Sequence, residues 1–586
     1  MIFGFSRFFG SRAVPGRKLF LRKSVIRPHL RRIGFSAGLG LFAPLQADVR
    51  LPGIFGDHMV LQQDIKIPVW GWATAGETVT VTLGDQRAQT TVSAVGEWRV
   101  ALAPQPTRSV PQELTVAGRN TLVIHDVLVG EVWLASGQSN MGFSLASASN
   151  AAAAILKADD RQLRLFTVTK KTSAERQSDL QGHWDICSPD TAKNFSAVAY
   201  FFGHELRTKL GRPVGLINSS WGGTSAQTWL SPDALRLEPP FTRYLDQWER
   251  ALAQHRQVQA NPKLASDYTD DLKRWQREVG PAFTAAMKTF NAAQGPGPKP
   301  VPGRPEPANP DPMAMPSPSA RPSTPSVIFN AMIAPLSPFA LRGVIWYQGE
   351  ANGGGGLEYR SLLPRLIADW RTQWGQGDFP FLFVQLPGWD QNKLPADQHD
   401  WPFLREAQLM TLGQPRTGMA VAIDLGDPAN VHPAGKLDVG LRLALVARSV
   451  AYGETLVASG PLYRSLSTGG GSLRVHFSEV GSGLVIGESP WRPADTTPLP
   501  TGKLVGFALA GANRKWVEAE AEIKGDTVVV SSPDVPTPVA VRYGWANSPR
   551  CNLYNREGLP ASPFRSDDWP KATPSLSKTD AHSMPP

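Results

Sequence analysis

Four stretches of this 586-residue chain run apolar almost without interruption and then break off at small or polar residues: GEVWLASG from 130, PVGLINSS from 213, LRGVIWYQG from 341 and FPFLFVQL from 379. A strand that alternates apolar and polar residues can leave one face in water. A strand without that alternation must be covered on both faces, the condition of a parallel sheet between helices. Helical periodicity lies between the runs, in AVAYFFGHELRTKLG from 197 and YRSLLPRLIADWRTQW from 359. The reading is α/β, a doubly wound parallel sheet whose functional groups gather at the carboxyl ends of its strands.

The flanks read differently. Residues 48–127 hold short strands between turns, with Thr78, Thr80 and Thr82 alternating against Val79, Val81 and Leu83. That period-two pattern belongs to half-buried strands and predicts an N-terminal β-sandwich. Residues 451–569 return to the same character in SLRVHFSEV, DTVVVSSP and PVAVRYGW, predicting a C-terminal β-module. Residues 128–450 are then the α/β domain, interrupted over 231–325. The first part of that insertion is helical and solvated. Its end carries twelve prolines in the 31 positions 295–325, which forbids regular structure and predicts an extended surface segment. Residues 570–586, rich in Pro, Ser and Lys, read as a disordered tail.

The formal charge of +10 tempts one toward nucleic acid, but residues 1–47 hold nine basic residues and no acidic one. Without them the chain has 51 basic and 50 acidic residues, no footprint for a polyanion. The same segment reads as a targeting signal: Arg31-Arg32, then the short apolar IGFSAGLGLFAPLQA, with a cut after Ala47. Export to a periplasmic or extracellular space is expected, by the Sec or the Tat route, with no membrane insertion after processing. Only Cys187 and Cys551 occur, weak grounds for a disulfide, and no Cys/His spacing suggests a metal.

The ends of the apolar runs carry the chemistry. In GQSNM, Gly137 permits a tight strand-to-helix turn and Ser139 falls where a nucleophilic hydroxyl would stand, its N–H free for a developing oxyanion. Alone, such a serine reads more simply as a helix N-cap. It has company. SSWGGT places Gly222-Gly223 after the second run, where a backbone N–H can approach a substrate. IWYQGEAN places Gln348, Glu350 and Asn352 after the third, and DPANVHPAGK places His432 before Pro433, a good first helical residue. Four polar clusters converge on one edge of one sheet.

These blocks, GEVWLASGQSNM, SSWGGT, IWYQGEAN and VHP, resemble those of the SGNH hydrolases, and specifically the sialate O-acetylesterase-like carbohydrate esterases. The likeness extends from LPGIFGDHMVLQQ at 51 to NLYNREGLPASPFRSDDW ending at Trp569. It implies an SGNH-type three-layer α/β/α domain with accessory β-sandwich modules, and cofactor-free removal of O-acetyl groups from sugars. The substrate would be O-acetylated sialic acid or an acetylated hemicellulose such as xyloglucan, presented as an acetylated oligosaccharide or glycan. Ser139 matches the family's nucleophile and His432 its general base. The N–H groups of Ser139 and Gly223 and the Gln348 side chain match the oxyanion donors, with Asn352 a further candidate. Trp221 and Trp346 are candidates for stacking on a sugar. Glu350 is grouped with them near the substrate, although its place in the block suits a hydrogen-bonding anchor beneath the pocket.

The chain departs from the family where an acid often precedes the histidine by three residues: here stands Ala429, followed by Asn430. Asp427 is the replacement expected here, on a GDP turn that can bring its carboxylate back to the imidazole. Asp424 or a Ser–His dyad are the alternatives. Two other functions fit less well. A non-catalytic carbohydrate-binding protein would not need the Ser/Gly/Gln/His set, and a lipase-like esterase would want a long apolar lid segment, which is missing.

Overall fold

A single strand, Thr121–Gly137, organises the molecule. Its first half alternates exposed and buried residues, and from Val127 to Gly137 every residue is buried. The first half pairs antiparallel with Arg108–Ala117 in the N-terminal β-region, and Leu128–Gly130 pair in parallel with Val60–Gln62. The second half is the centre of the parallel sheet. The boundary expected at 127/128 is therefore a change of surroundings within one continuous strand.

In this computed structural model the described residues are 48–278, 317–390, 399–491 and 498–570, with 281, 285 and 493. The leader, most of the Pro-rich run and the tail after 570 lie outside them. Strand order in the central sheet is Thr417–Val421, Phe381–Gln385, Gly343–Tyr347, Thr121–Gly137, Val214–Ser220, Asp160–Thr167 and Trp184–Cys187. All neighbours are parallel except the last pair. The four apolar runs are adjacent or near neighbours in it, as continuous burial requires.

Helices cover both faces. On one, Trp133 of the sheet meets Phe202 of helix Ala197–Leu210 at 5.0 Å between ring centres, and that helix packs on Lys436–Val450 with Gly440 against Phe201. On the other, Trp346 meets Trp370 of helix Gly356–Trp374 at 5.7 Å, and Gly356 lies against Phe403 and Leu404 of helix Trp401–Met410. The fold is the three-layer α/β/α arrangement expected.

The insertion begins as helices Pro232–Arg236, Pro239–Gln259 and Pro262–Glu278. The C-terminal β-region has two four-stranded antiparallel sheets, and it is tied to the α/β layers through buried groups: Arg405 donates to the carbonyls of Ala546 and Asn547, and Asp424 accepts from Tyr554. Cys187 and Cys551 are buried free thiols and do not form a disulfide. Among the described residues no helix is long and apolar enough to cross a membrane.

Candidate active site

The serine turn is built by close backbone approach. Gly137 has φ of +132°, and a Cβ there would stand 2.2 Å from the carbonyl oxygen of Tyr347. Only glycine lets the two strands end this near each other. Gln138 N–H then bonds Tyr347 O at 3.0 Å, and the N–H groups of Met141 and Gly142 both return to Gln138 O. Ser139 is held at the apex of that turn, half-buried.

Across 293 residues of sequence, His432 Nε2 lies 2.7 Å from Ser139 Oγ. That is the geometry in which an imidazole takes a hydroxyl proton. Gly222 packs on the other side, where a Cβ would fall 3.2 Å from Ser139 Cβ. Gly223 follows with φ of +73° and is exposed. No hydrogen bond from within the described residues occupies the N–H of Ser139 or of Gly223. Trp221 is half-buried, and its backbone N–H donates to Gly137 O at 3.0 Å, which holds its main chain beside the turn.

Several expected roles do not fit this geometry. Gln348 is fully buried, and its amide nitrogen is shared among Gln138 Oε1, Thr224 O and Asn352 Oδ1 at 3.2, 3.2 and 2.8 Å. It has no donor left for an oxyanion. Asn352 fits better. Its oxygen accepts from Ala226 N–H and Gln348, one amide hydrogen goes to Gln227, and the other is uncommitted. Trp346 is wholly inside the core, edge-on to Trp229 and Trp370, and cannot stack on a sugar. The Glu350 carboxylate turns inward to Asn140, so it is an anchor and not a substrate contact.

Asp427 is also corrected. Its carboxylate accepts the N–H of Ala429 at 2.9 Å, closing an Asx turn, and Asn430 closes a second on His432 N–H. The short side chain is used up by its own loop. Among the described residues no carboxylate pairs with His432. Asp424 is held elsewhere, in a bidentate pair with Arg442 at 2.6 and 2.7 Å. The imidazole's pKa is lowered, by burial and then by the nearby charge of Lys436, with no acid to raise it.

Beneath the pair lies a network of which sequence reasoning singled out only Glu350, as a hydrogen-bonding anchor. Asn140, fully buried, donates to the Val431 carbonyl at 2.9 Å and to Glu350 Oε1, and accepts from Lys436 Nζ at 2.5 Å. One side chain thus ties the residue after Ser139 to the residue before His432. Burial brings the Lys436 ammonium down to about 7, with Glu350 opposing, and burial raises the Glu350 carboxyl against the hydrogen bond from Asn140. The ammonium also sits over the rings of Phe143 and Tyr347, at 4.9 and 5.3 Å. A signal was present: Lys436 opens a helix, the wrong end of the dipole for a cation, which is a reason to look for a buried partner.

The family model for carbohydrate esterase, sialic acid-specific acetylesterase, matches residues 129–261 and 325–448. The gap between those matches falls inside the insertion. The chain is 31% identical to the sialate O-acetylesterases of Rattus norvegicus and Mus musculus, over 91% of its own length and 96% of theirs. A solved carbohydrate acetylesterase from Xanthomonas citri is 36% identical and superposes with a TM-score of 0.70, covering 89% of this chain and 100% of that one.

Proposed function

The chain belongs to the carbohydrate esterase family of sialic acid-specific acetylesterases, and from that premise we propose that it is an exported enzyme that removes O-acetyl groups from glycans through a serine acyl-enzyme. The observation that carries this reading is the 2.7 Å contact between Ser139 Oγ and His432 Nε2. A burial-lowered pKa keeps the imidazole neutral near pH 7, the form that can act as a base.

His432 takes the Ser139 proton as Oγ attacks the acetyl carbonyl carbon. The oxyanion is met by the N–H groups of Ser139 and Gly223 and the spare amide hydrogen of Asn352. On collapse the bond from acyl carbon to sugar oxygen breaks, and His432 Nε2–H protonates the departing sugar oxygen. Water, deprotonated by His432, then attacks the acetyl-serine; the bond from acyl carbon to Ser139 Oγ breaks, His432 Nε2–H returns its proton to Oγ, and acetate leaves. With no acid at hand for His432, the pair works as a dyad. Trp221 is the remaining aromatic beside the turn for a sugar face. Export rests on the basic leader and the apolar stretch ending at Ala47.

The test is acetate release from O-acetylated sialic acid and from acetylated xyloglucan, by the wild-type chain and by Ser139→Ala. Loss of the nucleophile should cost roughly 10³-fold or more. Near-normal turnover in the folded variant would end the assignment, and the relative rates on the two substrates choose between them.

A further inference from the structure

We propose that the C-terminal β-region carries a second glycan-binding site, a hollow that takes an acidic oligosaccharide with its pyranose faces on Trp516, Trp545 and Trp569 and its carboxylate at Arg514 and Arg550. The assignment of the ligand as a glycan rests on the esterase reading above. The hollow has a volume of about 940 Å³ and is walled by strands Phe507–Ala510, Trp516–Glu518 and Ala540–Tyr543.

Its three indoles are half-buried. Trp516 and Trp569 lie 5.4 Å apart between centres with planes at 50°, so they form an angled wall and do not cover each other's faces. No indole N–H of the three has a hydrogen-bond partner among the described residues, although a tryptophan in a concave wall normally finds one. Each ring already carries a guanidinium, Arg542 on Trp516, Arg542 and Arg565 on Trp545 and Arg514 on Trp569, so a sugar would lie on the ring surface left toward the hollow and supply hydroxyls for the N–H.

The cations divide by role. Arg542 lies 4.1 Å from the centre of Trp516 and 5.3 Å from that of Trp545, and its charge is met by the Asp567 carboxylate at 2.7 and 2.8 Å. It props the indoles and is electrostatically spent. Arg514 and Arg550 are exposed, and neither has a carboxylate within ion-pair distance among the described residues. Arg550 gives one N–H to Pro498 O, and Arg514 stands 5.2 Å from the centre of Trp569. Among the described residues Glu518 is the single carboxylate of the lining. Two uncompensated guanidiniums at the rim of an aromatic hollow favour an anionic sugar over a neutral one.

The position supports a role on long substrates. A smaller depression of about 380 Å³ shares Pro549 and Arg550 with the hollow, and its other wall is Asp427, Pro428 and Ala429 of the histidine loop. A glycan held on the indoles is thus anchored beside the loop that carries the base.

The experiment is calorimetric titration of the full Ser139→Ala chain with hexagalacturonate and with xylohexaose, alongside acetate release by the wild-type chain from an acetylated monosaccharide. Hexagalacturonate should bind, and each of Trp516→Ala, Trp569→Ala and Arg514→Glu should weaken it at least about 5-fold. Those substitutions, placed in the Ser139 background, should leave acetate release from the monosaccharide unchanged. Arg514 is exposed, so its charge reversal tests the site even where an indole variant fails to fold. Absent binding with intact acetate release would overturn the second site and leave the esterase reading standing. Equal binding of xylohexaose, indifferent to Arg514→Glu, would overturn the acidic ligand. Binding gained only on deletion of residues 571–586 would also overturn it, by making the chain's own end the occupant.

Discussion

Asn140→Ala should cost the protein both stability and turnover. The side chain makes three hydrogen bonds, two of them to buried ionisable groups, Lys436 and Glu350, and one to the Val431 carbonyl. Hydrogen bonds to charged groups contribute about 1.5–3 kcal/mol each and a neutral one about 1, so the removal amounts to roughly 4–7 kcal/mol before any relaxation. Water entering the space recovers part of this, and about 3–5 kcal/mol, the usual consequence of orphaning a buried ion, is the expected loss. The kinetic effect has another origin. Val431 precedes His432, and without its anchor the loop no longer fixes the 2.7 Å contact to Ser139. A misplacement near 1 Å costs on the order of 10²-fold, and it should appear in kcat with KM little changed. Urea unfolding and steady-state kinetics on the purified variant read both. Asn140→Asp, which keeps the acceptor but sets a second carboxylate against Glu350, should be no better. If Asn140→Ala unfolds within about 1 kcal/mol of wild type and keeps kcat within about 3-fold, the network does not hold the site and this reasoning is wrong.

Three further expectations follow from the same geometry. Asn352→Ala should lower kcat about 10²–10³-fold with KM nearly constant, as for an oxyanion donor; a rise in KM alone would make it a substrate contact, and Gln348→Ala should act only by loosening Asn352. Asp427→Ala should change kcat less than about 3-fold, since that carboxylate serves its own turn, whereas Asp424→Ala should destabilise by about 3–5 kcal/mol by stranding Arg442; a large catalytic loss in Asp427→Ala would restore it as the triad acid. Lys436→Met should move the acid limb of kcat/KM to higher pH, because a charge that lowers the His432 pKa is gone. In wild type the folded Lys436 and His432 hold fewer protons than the unfolded chain, so their contribution to stability is full above their unfolded pKa values and is lost as pH falls, for Lys436 between 10.5 and about 7. An unmoved limb in Lys436→Met would show that the two groups are not coupled.

The parallel sheet was legible because burial on both faces leaves continuous apolar runs, and their shortness, their turn residues and the helical periodicity between them mark them as its strands. The close approach of Ser139 to His432 was anticipated for a related reason: Ser139, like Gly223, follows a strand end where small or polar residues have no packing purpose, and His432 lies on the loop between strand Thr417–Val421 and helix Lys436–Val450. What failed was direction. Gln348 and Asn352 sit four residues apart after the same strand, and nothing in their order tells which amide is spent on Gln138 and Thr224 and which keeps an uncommitted hydrogen. Trp346 was misread because an aromatic in a buried strand and an aromatic beside a site share one sequence pattern. Asp427 was plausible by reach, but a short carboxylate before Pro428 binds the N–H two residues on more readily than an imidazole five residues away. The pairing of Asn140 with Lys436 spans 296 residues; the cation at the start of a helix marks Lys436 as needing a buried partner, but nothing local names Asn140 as that partner.

The strand Thr121–Gly137 has a consequence beyond topology. Gln62 accepts the N–H of Val132 and Val60–Gln62 pair with Leu128–Gly130, so the N-terminal β-region sets the strand's register seven residues before the serine turn begins. A shift of one residue there would exchange every inward side chain for an outward one along the centre of the sheet. Ser139 is therefore positioned from outside the α/β layers. A fragment beginning at residue 128 would keep Ser139, Gly223, Asn352 and His432 and lack the ruler that aligns them, and it should neither fold nor turn over. Heating the intact chain should accordingly melt the N-terminal sheet and the esterase activity together, in one transition.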